Sequence, residues 1–149
     1  GFLGDDRGIH ARQDRDDALA MNVGNYRVRY RDVYSAGVVL NSRFLDICDE
    51  AFTEYFRALG LPPEALYAVP FNGALGHMDA TYRSTATIDD VLDLDVRCDH
   101  VGNTSLVLTY SITRDGEAVF TGTARYVNID DSGQPIPVPA AVRSAVHTR

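Results

Sequence analysis

The segment NSRFLDICDEAFTEYFRALG, residues 41–60, decides the fold. Phe44, Ile47, Cys48, Ala51, Phe52, Tyr55, Phe56 and Leu59 recur at spacings of three and four. That period predicts an amphipathic helix of about five turns with a wide apolar stripe. Asn41 and Ser42 are good N-cap candidates, Gly60 supplies a C-terminal stop, and Pro62-Pro63 bar continuation. One long helix with such a stripe has to be covered by something.

The cover is legible on both sides of it. Over residues 25–33, Tyr26, Val28 and Tyr30 alternate with Arg27, Arg29 and Arg31, the pattern of a half-buried strand. The stretch DVYSAGVVLNS, residues 32–42, then reads as a loop with small residues at 35–37. Past the helix, residues 67–82 read as irregular, with Gly73 and Gly76 marking bulges or close backbone approach. Leu92, Leu94, Val96 and Cys98 alternate with Asp93, Asp95, Arg97 and Asp99 as a one-faced strand. Residues 104–113 predict another strand, Arg114-Asp115-Gly116-Glu117 a hairpin turn, and 118–129 its return. A Pro-rich stretch at 135–139 leads into a short helix, AAVRSAV, with Pro139 at its first position. An α+β fold follows, in which a curved antiparallel sheet of about five strands wraps one long central helix.

Composition narrows the function classes. A chain of 149 residues predicts one domain, here expected over 22–149 behind a polar leader at 1–21, with Met21 a plausible native start. A net charge of −7 argues against a nucleic-acid partner, whose phosphates call for a basic face. All 14 basic residues are arginine, so lysine Schiff bases and a P-loop lysine are impossible. Cys48 and Cys98 form no CxxC pair and read as buried reduced thiols. With only His10, His77, His100 and His147 scattered beside them, no metal site is expected. No apolar run approaches the roughly 20 residues of a membrane span, and no secretory pattern opens the chain, which favours the cytoplasm.

Three blocks carry a resemblance. Residues 30–60 (YRDVYSAGVVLNSRFLDICDEAFTEYFRALG) closely resemble the hot-dog fold acyl-CoA thioesterases of the 4-hydroxybenzoyl-CoA thioesterase type. Ala36-Gly37-Val38-Val39 matches the small-residue turn, Phe44-Leu45 the helix start and Thr53-Glu54 the distal helix. Residues 80–92 (ATYRSTATIDDVL) are similar to the family's second block, and Gly102-Asn103-Thr104-Ser105 stands where the family has Gly-Arg-Ser-Ser. The resemblance covers roughly residues 25–145 and implies a hot-dog protomer that pairs with a second copy, as a homodimer or homotetramer. Active sites then lie at the subunit interface, with no cofactor. It implies a turn carboxylate acting on the thioester and a backbone N–H at the helix start polarising its carbonyl, a use of helix N-terminal donors that is physically sound.

At the turn the sequence departs from that pattern. The family's catalytic Asp falls on Tyr34, and a phenol, ionising only near about pH 10, is a poor general base at neutrality. Tyr34 reads either as a hydroxyl donor to the thioester or as a pocket filler. Asp32, kept by strand alternation on the face of Tyr30, is either a replacement base or a strand-end charge. Asn41 stands where the family offers its oxyanion N–H, and Arg43 where it has a helix-start Asn. Arg43 is then a carboxylate or phosphate ligand, or a side chain snorkelling to solvent. Gly37, Val38, His77, Asn103, Thr104 and Ser105 complete the expected substrate-binding set, His77 with a structural role as its alternative. The expected function is an acyl-thioester hydrolase acting on an acyl-CoA or an acyl-carrier-protein thioester. The alternatives are a non-catalytic acyl-thioester-binding or assembly module and, more weakly, a hot-dog dehydratase.

Overall fold

The computed structural model describes residues 20–147; the leader expected at 1–21 lies almost wholly outside them. Five strands, β1 (Met21–Arg27), β2 (Gly73–Tyr82), β3 (Val91–Val101), β4 (Ser105–Arg114) and β5 (Glu117–Asn128), form one antiparallel sheet. Their order is β1-β3-β4-β5-β2, so β1 and β2 are the edges. The long helix α1 (Arg43–Ala58) lies on one face, with a short α2 (Pro63–Ala68) behind it and α3 (Ala140–His147) near the C-terminus. This is the α+β hot-dog architecture expected from the sequence.

The apolar stripe of α1 buries Phe44, Ile47, Cys48, Ala51, Tyr55 and Phe56. Against it stand Leu92, Leu94 and Val96 of β3, Leu106, Leu108, Tyr110 and Ile112 of β4, and Phe120, Ala124 and Tyr126 of β5. Alternation sends the residues between them to the outer face. Gly122 lets the helix-facing side of β5 close up: a Cβ there would lie 2.8 Å from the Met78 side chain and 2.9 Å from the Phe120 ring. The hairpin at Asp115-Gly116, both with positive φ, and the Gly60 stop at φ +84° follow the sequence.

Five expectations need correction. The first strand starts earlier and ends at Arg27; residues 30–32 turn into a single 3₁₀ loop because the Asp32 carboxylate accepts the Arg29 N–H at 2.7 Å. Tyr30 and Asp32 therefore do not share a face: Tyr30 is 83% exposed and Asp32 3%. Residues 67–82 are not irregular, since α2 precedes a ten-residue β2 whose register shifts between Leu75 and His77, around Gly76. Ser42 occupies the N-cap position in a helical conformation and makes no side-chain cap bond. Cys48 is buried as expected, but Cys98 is only half-buried.

The loop between β2 and β3 hangs on Asp90. Its Oδ2 accepts the Thr87 N–H at 2.9 Å and an Arg114 Nη1 bond at 2.9 Å. The Thr87 backbone bond above all, then the Arg114 guanidinium, holds its carboxyl below the usual range. A depressed folded value stabilises the protein above the unfolded pKa of about 3.9 and stops doing so as pH falls through the folded value. Asp90→Asn is expected to lower Tm at pH 7 and to converge on wild type in acid. A Tm difference constant down to about pH 2.5 would contradict this.

Candidate active site

The expected site residues gather at two separate places. At the first, Val33 and Val39 bridge a small hairpin closed by a Tyr34–Gly37 turn, in which the Gly37 N–H donates to the Tyr34 carbonyl at 2.8 Å. Gly37 sits at φ +82°, a conformation that disfavours any side chain. Val38 bridges Thr87, and the Val39 N–H reaches the Ala86 carbonyl at 2.8 Å, so the hairpin is fastened to the loop after β2. Tyr34 is 48% exposed at the tip.

Directly below lies Asp32. Its Oδ2 accepts bonds from the Tyr26 hydroxyl and the Arg29 N–H, both at 2.7 Å, and the Arg43 Nε stands 3.7 Å from Oδ1. A buried carboxylate requires such partners. Burial first, and then the bond to Asp32, pushes the Tyr26 phenol up. Arg43 also donates to Asp46 at 3.0 Å and to the Arg31 carbonyl at 3.1 Å, strapping the helix start to the 3₁₀ turn. A polar cleft of about 250 Å³ opens here, lined by Tyr26, Asp32, Arg43, Asp46 and Glu50.

The chain enters α1 through Asn41. The Leu40 N–H is taken by the Asp32 carbonyl at 2.9 Å, and the Arg43 N–H by the Leu40 carbonyl at 2.9 Å. The Asn41 N–H has no acceptor among the described residues. Asn41 stands two residues ahead of a 16-residue helix, close to its positive end, where a carbonyl oxygen is favoured. The Asn41 carbonyl is held in turn by the Tyr82 hydroxyl at 3.0 Å. The Tyr82 ring packs edge-on against Phe44 and Phe120. Sequence reading gave Tyr82 no role; its link to Asn41 spans 41 residues and has no local signature.

The second place is the β3–β4 turn. Asn103, Thr104 and Ser105 are locked there by backbone bonds: Gly102 N–H to the Ser105 carbonyl at 2.7 Å, Val138 N–H to Asn103 at 2.8 Å, and Asn128 N–H to Thr104 at 2.8 Å. Ser105 pairs with Val127 and Gly73 with Asn128, whereas Tyr82 pairs with Phe120. The turn thus shares the Gly73 end of the sheet, and nine strand residues, about 30 Å at 3.3 Å each, separate it from the Tyr82–Asn41 end. Within one protomer the two halves of the expected site do not meet. His77 joins neither: it pairs with Arg125 on the sheet face away from α1, with its Nε2 3.2 Å from the Asp79 carboxylate.

Burial pushes the Cys48 thiol up to about 12 and Cys98 up to about 11, so neither is poised as a nucleophile. Among the described residues no His, Cys, Asp and Glu side chains converge on a metal position, and no helix is long and apolar enough to cross a membrane.

Residues 14–146 match the family model of the thioesterase-like superfamily. The chain belongs to that superfamily. Among its relatives is an acyl-CoA thioesterase, YbgC of Haemophilus influenzae, 24% identical over 123 residues, covering 81% of this chain and 90% of the relative. A crystal structure of a 4-hydroxybenzoyl-CoA thioesterase variant with 4-hydroxybenzoyl-CoA superposes with a TM-score of 0.77 at 23% identity, covering 86% of this chain and 99% of that one. A Thermus thermophilus thioesterase complexed with coenzyme A and zinc gives 0.71 at 25% identity, over 85% and 93%. The hairpin tip that precedes Asn41 carries a phenol, at Tyr34.

Proposed function

We propose that this protein hydrolyses an acyl-CoA thioester at the start of α1. The Asn41 N–H, without an acceptor among the described residues and followed by a carbonyl that Tyr82 holds, carries the reading. A thioester carbonyl oxygen docked there gains a hydrogen bond that strengthens as negative charge builds on it. Water then adds to the carbonyl carbon, the C–S bond breaks, and the acid and the protonated thiol leave. Tyr34, half-exposed at the tip of the hairpin that leads into Asn41, is assigned to orient the water or the thioester oxygen through its hydroxyl. Asp32 acts by position, since two donors saturate its Oδ2 and it fixes Leu40 through its carbonyl. Gly37 and Val38 shape the turn, and Arg43 secures the helix start. The acyl-CoA thioesterase among the relatives supports the same chemistry.

The complete site needs a second copy. The β2 edge is ten residues long and mostly exposed, with no partner on its outer side among the described residues. Such an edge is a template for pairing. Antiparallel pairing of two β2 strands under two-fold symmetry sets the Tyr82 end of one protomer against the Gly73 end of the other. It thereby joins one helix start to the other protomer's Asn103-Thr104-Ser105 turn. The protein is expected to be at least a dimer by light scattering at micromolar concentration; a stable monomer would contradict the shared site. The function itself is tested with a panel of aliphatic and aromatic acyl-CoA thioesters, monitoring thiol release. Turnover supports hydrolysis, whereas tight binding without thiol release favours a non-catalytic acyl-thioester module.

A further inference from the structure

Three successive carbonyls of the β3–β4 turn are tied back to the C-terminal part of the chain. The Gly102 carbonyl accepts from Arg143 Nη2, the Asn103 carbonyl from the Val138 N–H and the Thr104 carbonyl from the Asn128 N–H, each at 2.8 Å. Two of these donors are backbone groups; only Arg143, on α3, is a side chain. The Asn103 and Thr104 N–H groups have no acceptor among the described residues. We propose that Arg143 is a positioning residue for thioester hydrolysis: by holding the Gly102 carbonyl, it aims the Asn103 N–H at the thioester-bearing molecule bound at the partner's Asn41. The inference rests on the hydrolase reading above and names what orders the second half of its shared site.

Peptide geometry carries the argument. In a planar trans unit the carbonyl of one residue and the N–H of the next point in opposite directions. The bond from Arg143 to the Gly102 carbonyl therefore turns the Asn103 N–H away from α3. No other donor reaches that carbonyl among the described residues. Gly102 carries no Cβ, so without Arg143 the Gly102–Asn103 unit rotates at little steric cost and takes the N–H with it. The next two units are held independently. Asn128 is fully buried, and its side chain also accepts the Asn72 N–H at 2.8 Å and donates to the Pro137 carbonyl at 3.1 Å. Arg143 thus secures the one joint that backbone bonds leave loose. The helix does not need Arg143 in order to dock, since Val142 and Val146 are buried in the core and Val138 ahead of them joins it. The half-buried guanidinium makes a single hydrogen bond among the described residues, to the turn, and its charge makes that bond stronger than a neutral one.

The test removes the guanidinium and then returns it. Arg143→Ala is expected to raise KM, for the acyl-CoA that wild type turns over fastest, by about fivefold, the worth of one hydrogen bond. Its kcat should change by less than about twofold, because binding rather than chemistry is lost. Millimolar ethylguanidinium should restore KM in the variant and leave wild type unaltered; a purely architectural role would give no such recovery. An unchanged KM, or one that ethylguanidinium does not restore, overturns the assignment. Should Arg143→Ala not fold, Arg143→Gln, polar but two bonds shorter, takes its place and is read by KM alone. Calorimetry with hexyl-CoA, a thioether with no carbonyl to hydrolyse, reads binding apart from catalysis. Its Kd should rise by the same factor in Arg143→Ala, and equal Kd values overturn the positioning role whether or not wild type releases thiol. A weakened Kd without any thiol release overturns the hydrolase reading alone, so the two failures are distinguishable. A wild-type protein that neither binds hexyl-CoA nor releases thiol overturns both.

Discussion

Asn41→Pro is expected to lower kcat for acyl-CoA hydrolysis by about 10²–10³-fold, the loss typical of removing one oxyanion donor. The substitution deletes a single N–H that no acceptor occupies among the described residues. It lies just ahead of the first turn of α1, where proline costs a helix least. The Asn41 carbonyl, which accepts from Tyr82 and from the Phe44 N–H, is retained. Tm should therefore move little while turnover collapses. Asn41→Ala keeps the N–H and is expected to hold most of the activity, which separates the backbone donor from the side chain. Steady-state kinetics on the two variants checks this; equal activity in both would remove the helix start from the chemistry.

Tyr34→Asp is expected to change turnover in the opposite direction. Tyr34 sits half-exposed at the hairpin tip, and its side chain makes no hydrogen bond among the described residues, so a smaller acid fits without disturbing packing. A carboxylate with an ordinary pKa near about 4 is ionised at neutral pH, and general-base assistance is typically worth about 10²–10⁴-fold. Hydrolysis in the Asp variant should rise within that range. The rise should fade as pH falls through the new carboxyl's pKa, because only the ionised form accepts a proton. Tyr34→Phe should cut wild-type turnover if the phenol orients the attacking water. Unchanged rates in both variants would move the chemistry away from this turn.

The parts of the fold set by local periodicity were legible. The stripe from Phe44 to Leu59, the stop at Gly60, the alternation from Leu92 to Cys98 and the Asp115-Gly116 hairpin each follow from short-range rules. The errors fall where a side-chain bond ends an element or the element is too short to show its period. The Tyr26–Arg31 alternation extends beyond Arg27, but the strand stops there because the chain turns so that the Asp32 carboxylate meets the Arg29 N–H and the Tyr26 hydroxyl. The six residues of α2 are too few to print a helical period. The candidate site was only partly legible for a related reason. Tyr34, Asp32, Gly37, Val38, Asn41 and Arg43 cluster because they are neighbours in sequence. His77 and the Asn103–Ser105 turn lie where strand order puts them, and nothing in their spacing reveals that β2 is an edge strand. The bond from Tyr82 to the Asn41 carbonyl is a long-range product of the same topology.

The most direct measurement is isotope-edited infrared difference spectroscopy of the thioester carbonyl of a bound acyl-CoA. The account predicts a shift to lower frequency on the wild-type protein, as the Asn41 N–H draws electron density onto the oxygen, and its loss in Asn41→Pro at equal occupancy. A carbonyl band that is unshifted in wild type, or shifted equally in Asn41→Pro, would contradict the claim that the start of α1 is where this protein activates its substrate.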